Sequence, residues 1–439
     1  MNNGCIEFNQ CNNRYGLQME NLEKLIAIVN RFYIISKNIN IKTLSFNEKI
    51  SLLGFYGEIY NVISDKEECI ERFYEVIGEI RDYIEETHFN RISLFGGLSN
   101  IALFIDPIVK ETGYFQKFQD SLNQIIIEEA DKQAMLYKTN LEWTYSSNYD
   151  VISGLSGVGA YLMTLDSDSA KASVIDIIDY FVKLSNYRQI NTNRIPGWYI
   201  KNECLPTQEY KENYKSGCIN YSLSHGIAGP LCILGKGLLY GMEVEGQREA
   251  IETILNEYKK TMIYDNQIAI WPGMIRLEDY INSIFDGSNK RMSWCYGSIG
   301  ILKSLQVAAT AMKKSKLEEW IYEQNVKIAE MPIEKFYLES PILCHGYAGA
   351  SAYYRKMYDE SHGSMFSHKY NEIVQLLLEK YDRKFIYCFK DFVRKYIKNG
   401  VEEEYLDKLT FLEGTPGICM ELVAFLKEKS YFERILLLD

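Results

Sequence analysis

Along most of the chain, apolar residues recur at helical spacing. Leu22, Leu25, Ile26, Val29, Phe32 and Tyr33 share one helical face, and Val174, Ile177, Ile178, Phe181 and Leu184 share another. That spacing is what a helix needs to bury a single stripe against a core. Only eight prolines occur in 439 residues, so long segments lack the residue that most strongly breaks helices. The pattern predicts a chain of amphipathic helices.

One stretch departs from it. Asn186 to Asn220 is rich in Tyr, Asn, Gly, Pro and charge, includes RIPGWYIKNECLPTQEY, and has no helical period. It predicts a long loop or a small β-containing insertion at 186–220, inside a single domain covering 1–439.

A glycine motif interrupts the helical runs seven times: LLGFYGEIY at Gly54 and Gly57, FGGLSNIAL at Gly97, ISGLSGVGA at Gly154 and Gly157, SHGIAGPLC at Gly226 and Gly229, CYGSIGILK at Gly297 and Gly300, CHGYAGASA at Gly346 and Gly349, and LEGTPGICM at Gly414 and Gly417. Successive first glycines stand 43 to 72 residues apart, room for two helices and their connections. Glycine at a helix start permits unusual backbone angles and close approach of neighbouring segments. We therefore expect an all-α fold, an α/α toroid of about seven helical hairpins whose glycine turns converge. In the second copy Asn100 replaces the second glycine.

Composition narrows the functional classes. The chain is 47% hydrophobic and 24% charged with a net charge of −11, the balance of a globular protein. It has no long Lys/Arg block to follow phosphates, so nucleic acid is not an expected partner. The amino terminus MNNGCIEFNQCNNRYG lacks a signal-peptide pattern, which predicts a cytoplasmic protein. Ser216 to Gly235 is uncharged, but Asn220, His225, Pro230 and four glycines suit a bilayer badly, so no membrane span is expected. Ten scattered cysteines without a secretion signal predict reduced thiols.

Chemistry concentrates at the glycine turns. Of five histidines, His225 and His345 stand directly before the first glycine of a motif; Cys295 lies two residues before Gly297, and Cys344 directly before His345. If the turns meet, Cys295, Cys344 and His345 supply three ligands for a zinc ion, with a fourth position open to a thiol that would lose its proton there. The alternative is two core thiols and a helix-start imidazole. His225 would be a fourth ligand that closes the site, so it is expected instead as general acid or base, its other reading being a capping residue. Asp150, in YDVISGLSG, could hold a histidine or an arginine, or cap a helix. Arg291 could pair with Asp150, stabilise developing negative charge, or be a solvated loop charge. Trp294 and Tyr296, flanking Cys295, could contact substrate or pack. His362 also lies in an SHG tripeptide but without a second glycine or an apolar run after it, and is expected at the surface.

These motifs resemble the lanthionine synthetase C family, whose cyclases form the thioether rings of lantibiotic peptides. SHG at Ser224 to Gly226, WCYG at Trp294 to Gly297 and CHG at Cys344 to Gly346 occur in the family's order, and the glycine-led repeats extend the resemblance from Gly54 to Gly417. The resemblance implies an α/α toroid, one zinc ion on Cys295, Cys344 and His345, and active-site roles for His225, Asp150, Arg291 and Tyr296. It implies that a cysteine thiolate of a dehydrated precursor peptide attacks dehydroalanine or dehydrobutyrine, with His225 the leading proton donor to the enolate and Asp150 orienting it. It also implies a standalone cyclase served by a separate dehydratase, with association to that enzyme and a membrane exporter placing it near the inner membrane face. Two other readings remain: a relative that adds glutathione to dehydrated residues, and a non-enzymatic peptide-binding scaffold using zinc for structure. WCYG resembles the bacterial cyclases more closely than the glutathione-binding relatives.

Overall fold

The computed structural model describes Ile6, Asn13 and residues 15–397, 400–427 and 430–439; the rest of the polar amino-terminal stretch, with Cys5 and Cys11, lies outside these. Its helices are α1 (Met19–Lys37), α2 (Phe46–Ile59), α3 (Lys66–Thr87), α4 (Leu98–Thr112), α5 (Gln116–Thr139), α6 (Ser146–Tyr149), α7 (Leu155–Leu162), α8 (Asp168–Ser185), α9 (Gln208–Asn213), α10 (Ala228–Leu239), α11 (Gln247–Thr261), α12 (Leu277–Ile281), α13 (Ser298–Ala311), α14 (Ser315–Glu330), α15 (Tyr347–Ser361), α16 (Ser364–Glu379) and α17 (Thr415–Phe425). Short strands complete it: β1 (Arg188–Ile190), β2 (Asn193–Ile195), β3 (Cys218–Asn220), β4 (Ile263–Asp265), β5 (Ile268–Ile270), β6 (Met274–Arg276), β7 (Asp391–Ile397) and β8 (Gly400–Leu406).

The chain forms two compact units. The first comprises Met1–Arg91, Asn100–Leu122 and Pro332–Asp439. In it α2 pairs with α3 and α17, and α15 with α16 and α17. Helix α2 begins with a capping box, in which the Glu48 amide donates to Ser45 Oγ at 3.4 Å and the Ser45 amide to Glu48 Oε2 at 2.8 Å. It then buries Leu52, Leu53, Phe55, Tyr56 and Ile59. The first glycine motif lies inside this helix, not at a helix start as the repeat pattern led us to expect. There a Cβ on Gly57 would stand 2.7 Å from the Phe104 carbonyl, so the glycines serve close packing against α4. Buried charge is paired: Arg355 of α15 bonds Glu421 of α17 at 2.9 Å and also Glu433, which removes the cost of a lone buried guanidinium.

The second unit comprises Ile92–Ser99 and Asn123–Met331. Helix α10 packs on α7, α8 and α13, and α13 on α14. The stretch 186–220 contains the β1–β2 hairpin, α9 and β3; β3 pairs antiparallel with β6, Cys218 opposite Arg276. Glu257 of α11, 2% exposed, anchors this region by accepting phenol bonds from Tyr187 at 2.6 Å, Tyr221 at 2.8 Å and Tyr280 at 3.0 Å. Tyr258 adds a bond to the Tyr221 carbonyl at 2.6 Å. The strand leading to His225 is thus fixed from both its main chain and its side chains.

Candidate metal centre and acid–base pair

Six of the seven motifs form tight turns that open a helix. Gly154, Gly297, Gly346 and Gly414 cap α7, α13, α15 and α17, while Gly97 and Gly226 precede α4 and α10. The second glycine has a steric cause: a Cβ on Gly157, Gly300 or Gly417 would collide with the carbonyl oxygen of Val151, Trp294 or Phe411, six residues earlier. The turn folds back over the first helical residues, and only a residue without a Cβ leaves it room.

Main-chain bonds link one turn to another. In the second unit the Phe95 amide donates to Ile152 O at 3.2 Å, Val151 to Ser224 O at 3.1 Å, and Leu223 and Ser224 both to Cys295 O at 3.0 and 3.2 Å. In the first, Cys344 donates to Leu412 O at 3.0 Å. Each accepting carbonyl stands two residues before the first glycine of its motif and each donor two or three before its own, so matching stretches meet although the sequence separates the bonded residues by 57 to 73 positions.

These links bring Asp150 and His225 together. Asp150 is 1% exposed; its Oδ1 accepts the amides of Ser153 at 2.7 Å and Gly154 at 2.8 Å, and its Oδ2 lies 2.6 Å from His225 Nδ1. A carboxylate so engaged accepts, hence Nδ1 donates and the second ring nitrogen, Nε2, is left to exchange protons. The His225 side chain is 40% exposed, which gives it access to a substrate.

Cys295, Cys344 and His345 also meet: their Sγ and ring nitrogen atoms all lie within 4.8 Å of one another. Tetrahedral coordination with metal–sulfur bonds of about 2.3 Å requires sulfurs about 3.8 Å apart, so this donor set can hold a metal ion with little adjustment. Cys295 is buried, whereas Cys344 and His345 are partly exposed.

The sequence model described as "Lanthionine synthetase C-like protein" matches residues 50–437. The chain belongs to that family. Its sequence is 28% identical to the nisin biosynthesis protein NisC of Lactococcus lactis subsp. lactis over 295 residues, 66% of this chain and 68% of that protein. A solved nisin cyclase superposes with a TM-score of 0.78 over 96% of this chain and 98% of the other, at 22% identity. The fold is thus the all-α toroid expected from the repeats.

The remaining residues of this lanthionine synthetase C-like chain divide. Tyr296 is partly exposed, with its ring centroid 6.3 Å from that of His225; burial pushes its phenol well above the usual tyrosine range, so it stays protonated. Arg291 is exposed and makes no ion pair with Asp150, whose oxygens are taken by the two amides and His225. Trp294 is 1% exposed, and its ring centroid lies 6.1 Å from that of Phe95. His362 is exposed at the end of α15, in a left-handed conformation. The sequence reading missed Asn220, which touches the Tyr296 phenol. Among the described residues, no helix is long and apolar enough to cross a membrane.

Proposed function

We propose that the protein is a zinc-dependent lanthionine synthetase that closes (methyl)lanthionine rings in a dehydrated precursor peptide. The observation that carries this reading is the clustering of two thiols and one imidazole, Cys295, Cys344 and His345, in a chain of this family. The names of the nisin cyclase relatives support the substrate class.

Cys295, Cys344 and His345 would hold the ion. Zinc, when bound, lowers the pKa of a coordinated thiol. The peptide's cysteine sulfur bonds to the β-carbon of dehydroalanine or dehydrobutyrine, the Cα=Cβ pair moves toward the carbonyl to give an enolate, and a proton then reaches the α-carbon. His225 Nε2 is the atom placed to deliver that proton, with Asp150 fixing the ring by its bond to Nδ1. The thiol's own proton leaves to solvent or to the same imidazole, so the addition is balanced without a further reactant. Tyr296, a protonated phenol, hydrogen-bonds the enolate, and Arg291 offers it a positive charge from the exposed edge of the turn.

The substrate requires a separate dehydratase. We place the protein in the cytoplasm, reaching the inner membrane face only through a dehydratase and exporter complex. The test is to incubate the purified, zinc-loaded protein with the dehydrated precursor encoded beside it and to count free thiols as rings form. Thiol loss without a change in peptide mass is expected. A mass gain of glutathione instead favours the glutathione-adding reading, and unchanged thiols with stoichiometric zinc favour a scaffold.

A further inference from the structure

Asn220 ends β3 just before the turn that carries His225, and is 2% exposed. Its Oδ1 accepts the Ser222 amide at 3.0 Å, and its carbonyl accepts the Ile227 amide at 3.1 Å. One residue therefore clamps both ends of the His225 turn. The His225 amide itself donates to Ser222 Oγ at 3.2 Å, inside the same clamp.

The orientation of the Asn220 amide follows from its partners. A backbone N–H can only donate, so the side-chain oxygen must face Ser222 and the NH2 group must face Tyr296, whose phenol oxygen lies 3.4 Å away. Tyr296 receives this bond. Its own O–H is then directed away from Asn220.

We propose that Asn220 is a positioning residue for ring closure: it turns the Tyr296 phenol outward as a hydrogen-bond donor to the substrate enolate, and in the same contact fixes the spacing between that phenol and His225. The proposal rests on the cyclase reading. It assigns function to a side chain that needs no contact with the peptide.

Asn220→Asp tests it. The carboxylate keeps the acceptor for Ser222, so the turn holds, but it replaces a donor to Tyr296 with an acceptor that draws the phenol proton inward. Measured on zinc-loaded protein with the dehydrated peptide, kcat should fall about 10-fold or more while KM stays within about twofold, with zinc content unchanged. In a Tyr296→Phe background the same change should cost nothing further. A wild-type kcat in Asn220→Asp, or an equal loss in both backgrounds, overturns the proposal. A readout independent of turnover separates it from the function itself: with ¹³Cζ-labelled tyrosine, the Tyr296 signal, assigned by its disappearance in Tyr296→Phe, should move in Asn220→Asp. An unmoved signal overturns the positioning role even in an active enzyme. A moved signal in a protein that consumes no thiols leaves the contact standing and refutes the cyclase reading with the catalytic role built on it.

Discussion

His225 Nδ1 donates to Asp150 Oδ2 at 2.6 Å, while the other Asp150 oxygen is held by the amides that start α7. Asp150→Asn puts an amide in this place and can present its NH2 group to Nδ1, which then has to accept and carry its proton on Nε2 instead. We expect ring formation to slow by about 10²- to 10⁴-fold with zinc content unchanged, measured by thiol loss and metal analysis on the same preparation.

On the proposed reading, the metal and the proton donor are separable. Cys344→Ala should lose zinc and ring formation together. His225→Ala should keep zinc and lose most ring formation. Loss of the ion from the His225 variant would show that the imidazole belongs to the coordination shell.

Thiol reactivity provides a second view of the centre. Burial raises the Cys69 and Cys218 thiols to about 12 and Cys388 to about 11, and holds Cys419 well above the normal thiol range. Because the raised form is the neutral thiol, almost no thiolate exists at pH 8 and these groups should resist iodoacetamide. Cys344, partly exposed, should be alkylated after chelator treatment and protected by added zinc. Peptide mapping of the modified protein reads both outcomes, and labelling of Cys344 at equal rates with and without zinc would count against metal binding there.

The glycines make a paired prediction. Gly300→Ala drives a Cβ into the Trp294 carbonyl beside Cys295 and should destabilise the fold by about 1–3 kcal/mol and weaken zinc retention. Gly78, within α3, has nothing within 4 Å of its would-be Cβ, so Gly78→Ala should stabilise by about 0.5–1 kcal/mol. Denaturant melts with metal analysis check the contrast.

Much of this was legible because a missing Cβ is visible in the sequence: a glycine that allows a turn to fold over a helix start recurs wherever the turn does. The same letters mislead at Gly54 and Gly57, since close helix packing needs the same absence. Asp150 could be paired with either a histidine or an arginine on residue type alone. What decides for His225 is the Val151 bond to Ser224, which no local pattern encodes. Likewise β3 finds its partner β6 after α10 and α11 have intervened. The β7–β8 hairpin escaped a reading built on helical period, although the Asn-Gly pair at 399–400 is a recognised hairpin signal.

Both amides that reach the Cys295 carbonyl, those of Leu223 and Ser224, belong to the peptide backbone. Both residues are buried, and Ser224 Oγ adds a bond to the same carbonyl at 3.5 Å, so main chain and side chain together hold the thiol relative to the imidazole. Proline is barred from these two positions, since it has no N–H to give. A substitution that removes either N–H therefore acts on the spacing of thiol and imidazole from a position that is neither a ligand nor a proton donor.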